Sequence, residues 1–130
     1  MVPCNVCDHW ILTIIDPYKE EAAMLDPFYD GIHDGVWKQV VQLALKLFNA
    51  QKQRKGRKMS SWSVIKVPKQ PDNFQCGFYV MKYMKEIVEC DGSQTIGSLH
   101  SLLDKPSYSK EDIDDVRKEW ADCVQDHILE

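Results

Sequence analysis

The 130-residue sequence predicts an α+β fold, and three observations carry that prediction. Residues 9–15, 22–26 and 61–67 are short runs rich in β-branched, aromatic and other apolar side chains, as strands require. Residues 34–53 and 76–89 repeat apolar side chains at spacings of three and four, the mark of helices with one face on a core. Polar, turn-forming segments at 68–75 and 91–107 separate the later elements.

The first strand is His9-Trp10-Ile11-Leu12-Thr13-Ile14-Ile15. It is apolar on both parities, which suits burial on both faces, and Asp16-Pro17 ends it. The chain runs from Met1 almost directly into this strand, leaving no room for a preceding element, so the expectation is a start in mid-fold. Residues 22–26 return as the second arm of a hairpin turning near Tyr18-Lys19. Val36, Trp37, Val40, Val41, Ala44, Leu47 and Phe48 define an amphipathic helix from Asp34 to about Gln53. Residues 61–67 alternate and stop at Pro68, forming another strand. A helix runs from about Cys76 to Glu89. Residues 91–107 read as a loop. Ser109 is an N-cap for a last helix whose face carries Ile113, Val116, Trp120, Cys123 and His127.

Composition sets the class. With 44% hydrophobic and 28% charged residues, residues 1–130 form one globular domain with a real core. The net charge of -4 is spread along the chain and gives no reason to expect nucleic acid or an anionic membrane as a partner. The local exception is the basic cluster at residues 51–58, Gln-Lys-Gln-Arg-Lys-Gly-Arg-Lys. Such a cluster suits a solvated loop, contact with an acidic partner, or a nuclear address. No apolar run approaches the roughly 20 residues of a membrane helix, and no signal-peptide pattern opens the chain. The expected location is intracellular, nucleus or cytoplasm, with the nucleus slightly favoured. Five cysteines at irregular spacing point to reduced thiols.

Cys76 sits where a loop gives way to a helix, where unpaired N–H groups and the helix dipole favour a thiolate. Gly77 lets a substrate carbonyl approach the backbone closely. A lone cysteine on an apolar helix is more often a core residue, so the case needs a base and an orienter. Among the four histidines only His9 opens a strand; His33 falls in a loop, His100 in a flexible segment and His127 on the last helix. Asp16 lies seven residues along the strand from His9, on the opposite face and roughly 23 Å away. With the turn centred between Tyr18 and Lys19, residue 26 lies opposite residue 11, making Asp26 a diagonal same-face neighbour of His9. A one-residue change of register would undo this pairing. Gln70, six residues before the cysteine, could fold its amide over the helix start as an oxyanion donor.

In series, Val2-Pro3 ahead of His9-Trp10, then Leu25-Asp26, then Val67-Pro68-Lys69-Gln70-Pro71 running into Cys76-Gly77-Phe78-Tyr79-Val80 resembles the ubiquitin-like-protein protease family. These are SUMO-type thiol peptidases related to the adenovirus protease. The resemblance covers roughly residues 2–90 and implies that family's cysteine-peptidase fold, a small mixed sheet packed with helices, lacking its N-terminal part. It implies a catalytic triad of His9, Asp26 and Cys76, Gln70 at the oxyanion hole, and Trp10 walling a narrow channel for a Gly-Gly tail. It also implies a ubiquitin-like, SUMO-like partner and no metal or cofactor. Two departures stand out: the region that normally precedes the histidine is missing, and Gln75 stands where many members have an acidic residue. Two rival readings are a non-cleaving, transposon-derived remnant that binds a ubiquitin-like protein, and a small zinc module built on Cys4, Cys7 and His9.

Overall fold

The computed structural model describes residues 1–57, 59–90 and 95–129. Four strands, β1 (Val2–Val6), β2 (His9–Asp16), β3 (Glu21–Leu25) and β4 (Ser61–Val64), form one sheet in the order β1-β2-β3-β4. The first three are antiparallel neighbours, and β4 pairs parallel to β3. A parallel pair needs a long crossover. Here α1 (Val36–Gln51) supplies it. The helices α2 (Cys76–Glu89), α3 (Ile96–Leu102) and α4 (Lys110–Ile128) complete the α+β architecture.

Strand β2 is buried on both faces, as its apolar character on both parities requires. Leu12 joins Ala23, Leu25, Ile65, Tyr79, Val80 and Tyr83 in the larger core cluster against α2. On the other face Ile15 and Ala22 meet Trp37, Val41 and Leu45 of α1, with Trp62 of β4. The Trp37 indole N–H donates to Thr13 Oγ1 at 2.8 Å, satisfying a fully buried hydroxyl and fixing α1 on the sheet.

Two expectations are corrected. An element does precede His9: β1 pairs with β2 through a two-residue turn, Cys7 and Asp8, both at positive φ (52° and 62°). That geometry matches a right-twisted hairpin, and Asn5 Oδ1 caps it by accepting from the Asp8 amide at 3.1 Å. Residues 95–102, read as part of a loop, hold α3: Thr95 and Ser98 form a reciprocal capping box, and Leu99 and Leu103 are buried. Residues 91–94 of that expected loop lie outside the described residues. The last helix starts at Ser109 as expected, with Asp112 completing its cap. On its apolar face Ile113 and Val116 are buried, while Trp120 is 54% exposed and Cys123 and His127 face solvent.

The basic cluster continues from the end of α1 into an exposed loop at the end of the sheet remote from His9, and two of its arginines are structural. Arg54 Nη2 donates to the Tyr18 carbonyl at 2.7 Å, and the Arg57 amide donates to Glu20 Oε2 at 2.8 Å. Lys58 lies outside the described residues. Among them, no helix is long and apolar enough to cross a membrane.

Candidate active site

The site is assembled where β2 begins, β3 ends and α2 begins. The β2–β3 register pairs Leu12 with Leu25. Continued by one residue, it sets Asp26 opposite Ile11 and on the same face as His9. The His9 Nε2–H donates to Asp26 Oδ1 at 2.7 Å. The Asp26 side chain is 1% exposed, and the His9 side chain 17%.

Asp26 does more than meet His9. Its Oδ1 also accepts the Phe28 and Tyr29 amides at 2.8 and 3.0 Å, so the carboxylate shapes the turn that follows it. Its Oδ2 accepts from His33 Nε2 in a short contact. Burial pushes the Asp26 carboxyl up, but the bonds from His33, the Tyr29 amide, His9 and the Phe28 amide outweigh it and leave the group below the usual aspartate range. His33 was given an ordinary loop role on sequence, and the structure instead makes it a second imidazole on the same carboxylate.

The segment carrying Gln70 is fastened to this turn from several sides. Lys69 Nζ donates to the carbonyls of Asp26 (2.8 Å) and Tyr29 (3.0 Å) and pairs with Asp30 at 2.8 Å. The Gln70 amide donates to the Pro27 carbonyl at 2.8 Å, and the buried Tyr83 hydroxyl donates to the Pro68 carbonyl at 2.5 Å. Lys69 and Tyr83 went unnoticed in the sequence because nothing local marks a side chain whose partner is a distant carbonyl.

Gln70 is itself buried. Its Nε2 donates to the Asp72 carbonyl in a short contact. An amide NH2 carries two hydrogens, so one remains for another acceptor. Asp72 organises the rest of the loop, accepting the Phe74 amide at 2.9 Å and Gln75 Nε2 at 2.6 Å. Those bonds, the Phe74 amide foremost, lower the Asp72 carboxyl below its usual range.

Cys76 is buried as the first residue of α2. Its neighbour Gly77 lies against Trp10, the residue after His9: a Cβ built on Gly77 would meet Trp10 Cδ1 at 3.6 Å, ordinary contact. Packing inside the protein therefore does not demand glycine there. Trp10, Cys76, Gly77, Phe78, Met81 and Trp120 are among the residues lining an open apolar groove of about 480 Å³. Cys4, Cys7 and His9 do not form a metal cage: among the described residues no group of three His, Cys, Asp or Glu side chains could hold a metal ion.

A histidine bonded to a buried carboxylate, next to a helix opened by a cysteine, is the kind of site that cysteine peptidases use. Comparison with known proteins agrees. The model of the "Ulp1 protease family, C-terminal catalytic domain" matches residues 1–130. This chain belongs to that family, a family of cysteine proteases. A curated Arabidopsis thaliana protein, "Putative ubiquitin-like-specific protease 1B", is 26% identical over 86 residues, which cover 64% of this chain and 25% of that protein. A solved structure of the SUMO protease Ulp1, with its catalytic cysteine oxidised to a sulfenic acid, superposes with a TM-score of 0.59 at 20% identity. It covers 98% of this chain and 52% of the solved chain, a likeness of fold. The chain thus spans about a quarter of the curated relative and about half of the solved structure.

Proposed function

We propose that this chain is the C-terminal catalytic segment of a thiol peptidase that cleaves after the terminal Gly-Gly of a SUMO-like modifier. The observation that carries this reading is the 2.7 Å bond from His9 to a buried Asp26, made beside the helix that Cys76 opens. In this reading Asp26 orients His9. The Cys76 thiolate attacks the carbonyl of the last glycine, and the spare Gln70 N–H and the start of α2 stabilise the oxyanion. His9 then protonates the leaving amine, and water, deprotonated by His9, hydrolyses the thioester. Trp10 walls the tail channel, where aromatic faces admit glycine and exclude residues with side chains. Gly77 leaves room for the incoming carbonyl, a reason for glycine that internal packing does not supply.

A second reading, a non-cleaving module that binds a ubiquitin-like protein, draws on the apolar groove beside Cys76. There Phe74 is 85% exposed and Trp120 54%. SUMO, NEDD8 and ubiquitin probes carrying C-terminal electrophiles separate the two. The peptidase reading expects covalent labelling by a modifier probe that Cys76→Ser abolishes. Reversible binding with no labelling supports the second reading and ends the first.

A further inference from the structure

Asp26 is loaded unevenly. Oδ1 takes three donors: His9 and two backbone amides. Oδ2 takes His33. His33 is well placed to keep that contact, since its own amide donates to Met24 Sδ at 3.3 Å and its ring lies edge-on to Tyr29 at 6.2 Å. Its side chain is 27% exposed, so solvent protons reach it. The His9 and His33 rings are 6.4 Å apart, and the same carboxylate lies between them.

We infer that His33 is a positioning residue that holds the second oxygen of Asp26 and shares its charge, so that a proton gained by His33 weakens the imidazolium form of His9. This rests on the triad reading above. The charges around the pair leave Asp26 as their shared counter-ion. Lys69 reaches Asp26 only at its carbonyl and pairs with Asp30. Asp34, next in sequence to His33, pairs with Lys38 of α1 at 3.4 Å. Lys66 acts on Asp30, and Tyr29 presents a neutral ring to both imidazoles. One carboxylate cannot fully neutralise two imidazolium ions. Two positive charges 6.4 Å apart repel each other, so each disfavours the charged form of the other.

The test is the pH dependence of Cys76 alkylation by iodoacetamide in the folded chain. It is read peptide by peptide by mass spectrometry, because the chain holds four other cysteines. His33→Gln keeps an N–H for Oδ2 but cannot become charged. The expected result is an acid limb moved up in pH, because removing a positive charge beside the His9–Cys76 pair makes the protonated pair hold its proton more tightly. An acid limb that coincides with wild type, or moves down, overturns the inference. His9→Ala is the control: if the wild-type limb does not depend on His9, the triad reading itself fails and this inference falls with it. Should His33→Gln not fold, ring-nitrogen NMR of the wild type decides. Two coupled titrations support the role, and two independent single-step curves overturn it.

Discussion

Replacing Asp26 with alanine measures how much of the fold depends on the carboxylate that the site uses. In the native state this 1%-exposed group accepts the Phe28 and Tyr29 amides as well as two imidazoles. A hydrogen bond to a buried charged acceptor is worth about 1.5 kcal/mol, so losing the two amide bonds alone costs roughly 3 kcal/mol. The imidazoles are more exposed and add less. The sign of the pH dependence follows from the lowered carboxyl. Because the folded group titrates below its unfolded value of about 3.9, its contribution is complete above that value and is lost as pH falls through the folded one. Urea denaturation followed by circular dichroism should therefore show a gap of roughly 3 kcal/mol between wild type and Asp26→Ala at pH 7, shrinking below about pH 4. Equal midpoints at pH 7 would refute the bookkeeping, and a gap unchanged at pH 3 would refute the assignment of a lowered carboxyl.

Two further outcomes are expected. Gln70→Ala should slow probe labelling or tail cleavage by about 10²–10³, because the lost group is the donor to a developing oxyanion, and should also lower the melting temperature, because the buried side chain bonds the Asp72 carbonyl; unchanged rates would remove Gln70 from the oxyanion hole. Cys7→Asn should raise stability by about 0.5–1 kcal/mol, since Cys7 holds a left-handed φ of 52° in a turn that asparagine tolerates better. A lower melting temperature would mean that the Cys7 side chain contributes contacts that outweigh its backbone strain.

Much of the framework was legible because it is written locally. The β2–β3 turn follows from Asp16, whose Oδ1 accepts the Tyr18 and Lys19 amides at 3.1 Å each, and that turn sets the register that makes Asp26 a same-face neighbour of His9. The start of α2 at Cys76 and the cap at Ser109 were legible for the same reason. Helix α3 was not, because its seven residues are diluted by glycine and serines and its helical character depends on Thr95 capping and on burial of Leu99. The apolar face of α4 was legible too, but periodicity reports a face and not what covers it, so the exposure of Trp120 was not.

From the sequence alone came the kinds of element, one hairpin register, and the ordered series His9, Asp26, Gln70 and Cys76, since periodicity, turn chemistry and motif order are properties of short segments. Only the tertiary structure decided that His33 shares Asp26 with His9, that Lys69 and Tyr83 fasten the segment leading to Gln70, and that Arg54 and Arg57 of the basic cluster bind the β2–β3 turn. Those contacts close loops across the fold, and most join side chains to backbone groups dozens of residues away, where sequence spacing carries no signal.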